Sequence, residues 1–307
     1  MDHVIQTRAL TKQFRSGKHS LNAIDGISFV IGKGERVAFI GPNGAGKSTV
    51  IKMLTGILHP TSGEVHILGM VPWENRRRLG FHIGTVFGQR SQLWYHLPPL
   101  ETFDLLSKIY EIETKEYHKR VQDLIELFEI RSFFDRPVRK LSLGQRMRCE
   151  LVASLLHSPK VLFLDEPTVG LDVSAKLKMR YLLNQISIEQ GTTLFLTSHD
   201  TADIEQVCER VIVLDKGRVL QDCPLSELRS QYVNKKRITL ITDQKELSLD
   251  LPGIEVLESQ NFVFRGEIDL NAVSIQAVVN AAVKQCSLKD MTIEDPKMEE
   301  IIQSMYE

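Results

Sequence analysis

Cysteine is scarce in this 307-residue chain. It has four, Cys149, Cys208, Cys223 and Cys286, with no CxxC pair and no His/Cys spacing that suits a metal ligand set. That excludes a disulfide framework or a zinc module and fits reduced thiols in a cytosolic protein. A surplus of one charge is also missing: 38 Lys and Arg against 39 Asp and Glu leave a net charge of -1. Nothing in that balance calls for nucleic acid or an anionic membrane as partner, and Arg76-Arg77-Arg78 reads as a solvated face. No run of about 18 apolar residues occurs, and the opening MDHVIQTRAL lacks the apolar core of a signal peptide. The expectation is a chain that does not span a membrane by itself. Internal repeats and low-complexity tracts are absent too.

What is present is ordinary globular composition, 42% hydrophobic and 25% charged, enough for one large domain and a smaller one. Residues 4 to 31 alternate apolar and polar in short runs, the pattern of antiparallel strands with a turn at Ser16-Gly17. The buried run RVAFIG then leads into a glycine-rich loop and the helical spacing of KSTVIKMLTGIL. From about 95 to 158 the pattern is helical, with Tyr117, Val121, Leu124, Ile125 and Phe128 on one face. Strand-like runs return at KVLFLD and TTLFLTS around a helix near 173 to 189, so a parallel sheet resumes. RVIVLDKGRVLQD reads as a hairpin turning at Lys216-Gly217. After a polar linker near 230, RITLIT, FVFRGE, a helix at 271 to 284 and a last helix near Pro296 predict a small α+β domain over 231–307.

The strongest chemical signal is GPNGAGKST, comprising Gly41, Pro42, Asn43, Gly44, Ala45, Gly46, Lys47, Ser48 and Thr49, which satisfies G-x-x-x-x-G-K-[ST]. It stands where a buried strand ends and a helix begins. There glycines let backbone N–H groups curl around a phosphate chain, and the helix dipole favours negative charge. Lys47 would reach the β- and γ-phosphates and Ser48 would ligate Mg²⁺. KVLFLDEPT supplies the partner acids at another strand end: Asp165 to orient the Mg²⁺ shell, and Glu166 to orient or deprotonate the attacking water.

Together with LSLGQRMR (Leu141 to Arg148), these stretches resemble the ATP-binding cassette (ABC) ATPases. GPNGAGKST is similar to their Walker A motif, VLFLDEP to Walker B and LSLGQ to the signature, usually LSGGQ. The resemblance covers residues 4 to 230 and implies a P-loop NTPase with an antiparallel β subdomain and the helical insert. It further implies that Ser142, Gly144 and Gln145 close over the γ-phosphate in a partner's Walker A, across a head-to-tail dimer of two copies or of this chain and a related ATPase. Gln89, in VFGQRSQLW, matches the glutamine that links the metal and water site to a membrane partner. His199, in LFLTSHD, matches the histidine that contacts the γ-phosphate. Phe14 falls where the family stacks an aromatic on adenine, and Asp172 is the retained D-loop acid. In two places the chain departs from the pattern: Leu143 replaces a signature glycine, and Val169 stands where a hydroxyl is common.

The family function this implies is ATP-driven dimer closure, with ATP and Mg²⁺, at the cytoplasmic face of the membrane, powering a separate transmembrane permease. GQRSQLWYHLPPLETF is apolar enough for a docking groove, and local packing explains it equally well. The signature spelling and the tail EDPKMEEIIQSMYE look like bacterial export systems, with import as the alternative. A further alternative is a soluble machine on ribosomes or DNA. A single Walker A, a short 47 to 141 spacing and the lack of a basic patch count against it. The small second domain is expected to be a dimerisation or regulatory element, or else a packing cap.

Overall fold

The computed structural model describes residues 3–16, 19–88, 91–230, 234–296 and 298–306. The chain divides into two compact units, Met1–Leu225 and Ser226–Glu307.

In the first unit β1 (His3–Ser16) and β2 (His19–Gly32) pair antiparallel, with Ile24, Ile27, Phe29 and Ile31 buried along β2. The predicted turn lies partly outside the described residues, because Gly17 is not among them. Next come β3 (Arg36–Ile40), α1 (Lys47–Leu54), β4 (Ser62–Ile67), α2 (Arg76–Gly80) and β5 (Ile83–Phe87). β4 joins β1, giving a three-stranded sheet in the order β2-β1-β4.

The helical insert consists of α3 (Pro99–Ile109), α4 (Thr114–Leu127), a 3-10 turn at Val138–Lys140 and α5 (Leu143–Leu155). Tyr117, Val121, Leu124, Ile125 and Phe128 are buried, as the 3.6-residue period requires. Then follow β6 (Val161–Asp165), α6 (Val173–Gln190), β7 (Thr193–Thr197), α7 (Thr201–Val207), β8 (Arg210–Asp215) and β9 (Arg218–Pro224), and after them α8 (Leu225–Ser230), which from Ser226 on belongs to the second unit. The main sheet runs β5-β6-β7-β3-β8-β9, parallel except for β9. The β8–β9 hairpin turns at Lys216 and Gly217, both at positive φ (45° and 79°), as a two-residue primed turn needs.

Parallel strands covered on both faces are apolar along their middles, as residues 37–40 of β3, 161–164 of β6 and 194–196 of β7 are. Phe29, Phe39, Phe163 and Phe195 cluster there with ring centroids 5.2 to 6.2 Å apart; truncating one to alanine costs about 3–5 kcal/mol. The carboxyl ends of β5, β6, β7 and β3 therefore emerge side by side along one edge, where ligands of such sheets bind.

The second unit is a four-stranded antiparallel sheet of β10 (Lys235–Thr242), β11 (Ile254–Gln260), β12 (Val263–Asp269) and β13 (Leu288–Glu294) in the order β11-β12-β10-β13, with α9 (Ile275–Gln285) and α10 (Met298–Ser304). Ile238, Leu240, Phe264, Ile268, Val278 and Ala282 form its core. The predicted linker is shorter than its polarity implied. Arg229 and Ser230 still belong to α8, and Lys235 already pairs with Asp269. The helix expected from 271 starts at Ile275, because the Ser274 side chain accepts from Ala277 N–H and caps it there.

Candidate active site

The loop between β3 and α1 needs its glycines. Gly44 and Gly46 hold φ of 85° and 109°, which L side chains rarely adopt. A Cβ on Gly46 would come within 2.6 Å of the Ala23 carbonyl oxygen. The loop closes through Ala45 N–H to the Pro42 carbonyl (3.1 Å) and Val50 N–H to the Gly46 carbonyl (3.0 Å). Lys47 is folded back across it, its Nζ donating to the carbonyls of Gly41 (2.7 Å) and Pro42 (3.2 Å). Burial lowers the lysine pKa, opposed by the charges of Glu166 and Asp165. No acidic side chain occupies the first turn of α1, so its dipole stays available to an anion.

Asp165 ends β6. Its Oδ1 accepts from Ser48 Oγ (3.2 Å) and from Thr197 Oγ1 (2.7 Å). Glu166 has left-handed backbone, φ 55°, an arrangement costing roughly 1–3 kcal/mol that persists where surrounding bonds enforce it. Here those bonds run from Glu166 N–H to Thr197, both to its carbonyl and to its Oγ1, each at 3.1 Å. The turned carboxylate accepts from Nδ1 of His199 at 2.7 Å; a carboxylate can only accept, so the proton belongs to the ring nitrogen.

A pocket of about 360 Å³ is lined by Asn43, Gly44, Gly46, Lys47, Ser48, Thr49, Glu166 and His199, joined by Ala23, Gly88 and Val169. Gly41, Pro42 and Ala45 shape the loop from behind. Phe14 is half-exposed on β1, under the Lys12 ammonium (5.3 Å), and is not among the lining residues. Gln89 lies outside the described residues, while its neighbour Gly88 donates its N–H to the Asp165 carbonyl at 2.9 Å. The glycine cradle fits a phosphate chain, and a Ser48 hydroxyl beside an Asp165 carboxylate fits Mg²⁺, which keeps few protein ligands and takes phosphate oxygens for the rest.

The signature forms a second recess. Ser142 caps α5 in a reciprocal pair: its Oγ accepts from Gln145 N–H (3.2 Å) and its N–H donates to Gln145 Oε1 (2.9 Å). Ser142, Gly144, Gln145 and Asp172 line a pocket of about 400 Å³ with Arg148 and Lys178. None of these four lines the pocket of the glycine loop. Asp172 caps α6, accepting from Ala175 N–H at 2.8 Å. Leu143 packs on Gly170, where a Cβ would meet Leu143 Cδ2 at 2.9 Å.

Several residues that shape the site escape a motif reading: Thr197, Thr168, Ser198, Arg180 and Asp203. Thr197, Ser198 and Asp203 leave a trace in the density of hydroxyls and acids of TSHDTAD, after the buried run LFL, and Thr168 closes KVLFLDEPT; Arg180 leaves none.

A glycine loop between β3 and α1, an acidic pair at the end of β6 and a histidine after β7 define a P-loop nucleotide hydrolase. The family model for ABC transporters matches residues 24–169. The chain is 31% identical over 306 residues to the uncharacterized ABC transporter ATP-binding protein YcbN of Bacillus subtilis, covering 96% of each. It is 31% identical over 247 residues to the bacitracin transport ATP-binding protein BcrA of Bacillus licheniformis, covering 80% of this chain and 78% of the relative. The dimeric post-hydrolysis structure of the ATP-binding cassette MJ0796 bound to ADP and Pi matches 72% of this chain and 98% of its own, with TM-score 0.66 and 28% identity. The chain belongs to the ATP-binding proteins of ABC transporters, and it is an ATP hydrolase.

Proposed function

We propose that this subunit closes head to tail on a second cassette, a copy of itself or a related ATPase, around two ATP molecules, and thereby drives a separate transmembrane permease at the cytoplasmic face of the membrane. The observation that carries this reading is the separation of the two recesses. Ser142 and Gly144 stand apart from the glycine loop of their own chain, so they can cap a nucleotide only if another chain brings one. ATP favours the closed state because it touches both subunits, and hydrolysis removes that preference.

In the closed site Lys47 neutralises the β- and γ-phosphates, His199 contacts the γ-phosphate, and Glu166 orients the attacking water and takes its proton. Mg²⁺, when bound, would be held by Ser48 and Asp165 with Gln89 and would offset phosphate charge. Phe14 offers its exposed ring to the adenine.

Among the described residues no helix is long and apolar enough to cross a membrane; in the proposed assembly the permease supplies the span. Trp94, Tyr95, Leu97, Leu105 and Ile109 are exposed apolar groups around the start of the helical insert; their exposure favours docking over local packing. Export is the preferred direction, on the signature spelling and the tail sequence, and the relative named for bacitracin transport belongs to the same family.

The test is purification of the Glu166→Gln chain with MgATP from detergent-solubilised native membranes. A multi-span membrane protein in stoichiometric amount supports the reading. Ribosomal proteins or DNA in its place overturn it and favour a soluble machine.

A further inference from the structure

We infer that Asp203 is a positioning residue for hydrolysis: its carboxylate ties the loop that follows Glu166 to the loop that carries His199, and so sets the contact between those two side chains. The inference rests on the roles proposed above for Glu166 and His199.

Asp203 sits on α7 and is 1% exposed. Its Oδ2 accepts from Thr168 Oγ1 and, at 2.8 Å, from Ser198 Oγ. Its Oδ1 accepts from Arg180 Nε on α6 at 2.6 Å. Thr168 is two residues beyond Glu166, and Ser198 immediately precedes His199. Two loops that leave neighbouring parallel strands are therefore pinned to the same carboxylate oxygen. Arg180 supplies the compensating charge and also reaches Asp200 at 3.1 Å.

The chemistry of the group suits the task. An ionised carboxylate accepts several hydrogen bonds and donates none, so it can hold two hydroxyls and a guanidinium together. An amide of the same shape would turn a donor toward donors. The left-handed backbone of Glu166 is intrinsically unfavourable, and the pinned hydroxyl of Thr168 anchors the far side of that turn. The result is read out in the 2.7 Å separation of His199 Nδ1 from Glu166 Oε2. A buried ion pair alone would account for Arg180 and Asp203. It would not account for both hydroxyls converging on one oxygen from the two loops that bear the reacting groups.

The experiment uses the full chain with MgATP, measuring steady-state turnover and, by equilibrium titration, ATP affinity. Thr168→Val keeps the volume of the side chain and removes its hydroxyl. Its expected effect is a kcat about tenfold lower, the worth of one well-placed hydrogen bond, with KM and ATP affinity unchanged. Thr168→Ser should restore turnover, and in a Glu166→Gln background Thr168→Val should cost nothing further. Asp203→Asn should lower kcat more than Thr168→Val; if that chain does not fold, the Thr168 series decides alone. Wild-type kcat for Thr168→Val, failure of Thr168→Ser to rescue, or an equal loss in the Glu166→Gln background would overturn the inference. Wild-type turnover of Glu166→Gln alone would instead overturn the underlying role of Glu166, a result distinguishable from the others.

Discussion

Nδ1 of His199 lies 2.7 Å from Oε2 of Glu166. The two residues come from loops after adjacent strands, β7 and β6, which pair in parallel from Val161 and Thr193 to Asp165 and Thr197. Both side chains line the pocket of the glycine loop, so the hydrogen bond between them couples their positions there.

Replacing Glu166 by Gln keeps the shape of the side chain and removes its ability to take a proton. Turnover is expected to fall at least about a hundredfold, while ATP binding persists. Phosphate release and equilibrium nucleotide titration measure the two effects separately. Unchanged turnover would rule out the general-base role.

The two-recess geometry predicts complementation. Lys47→Ala removes the ammonium that spans the loop carbonyls of Gly41 and Pro42, and Ser142→Ala removes the cap of the signature helix. Each chain alone should hydrolyse ATP poorly. Mixed dimers should regain one competent site, because one chain still has an intact loop and the other an intact signature. A mixture no more active than its components would count against a shared site.

Gly44 and Gly46 make a matched pair. Both have positive φ, but a Cβ on Gly44 meets nothing within 4 Å among the described residues, whereas on Gly46 it meets Ala23 and Ile24. Gly44→Ala should therefore cost about 1 kcal/mol of stability, the backbone penalty alone. Gly46→Ala should cost about 2–3 kcal/mol more and weaken ATP binding as the loop shifts. Denaturant unfolding of both variants checks the order; equal costs would contradict it.

His157 predicts an acid limit to stability. Its Nε2 donates to the Ile83 carbonyl at 2.9 Å, its ring stacks on Tyr110 at 3.9 Å, and its Nδ1 is buried without a partner among the described residues. Burial pushes its pKa down from 6.5 to about 4, opposed by the hydrogen bond to the Ile83 carbonyl and aided by the nearby charges of Arg120 and His82. Between those values the unfolded chain binds a proton that the folded chain refuses. Stability contributed by the neutral ring is thus complete above pH 6.5 and is lost as pH falls toward 4, by an amount on the order of 3 kcal/mol at most. Denaturant midpoints of wild type and His157→Gln across that range should converge at low pH; parallel curves would exclude the assignment.

Much of the fold follows from local pattern. The apolar runs of β3, β6 and β7, the one-faced α4 and the Lys216–Gly217 turn are each specified by a few consecutive residues. The elements that escaped are those with weak pattern. β4 has only Val65 and Ile67 buried, β5 is a five-residue run containing Gly84, and β11 and β13 are largely exposed strands at the edges of their sheet. A half-exposed edge strand carries little hydrophobic alternation, so nothing in its sequence separates it from a loop. At the site, Glu166 and His199 are each legible as motif residues, but the bond between them is not. Thr168, Ser198 and Asp203 leave no periodic trace, since their meeting depends on where two loops end.

The phosphate loop could be read directly from the chain because everything it needs lies within nine consecutive residues: glycines that tolerate φ > 0, a lysine to fold back, and a helix start. The rest of the site depended on folding in three dimensions. Ser48, Asp165, Thr197 and His199 are neighbours only because the sheet order is β5-β6-β7-β3-β8-β9 and not chain order. Parallel strands pair through long crossovers, which bring distant segments to one edge. Hydrogen bonds of about 3 Å then fix which side chains touch, a scale that no spacing along the sequence encodes.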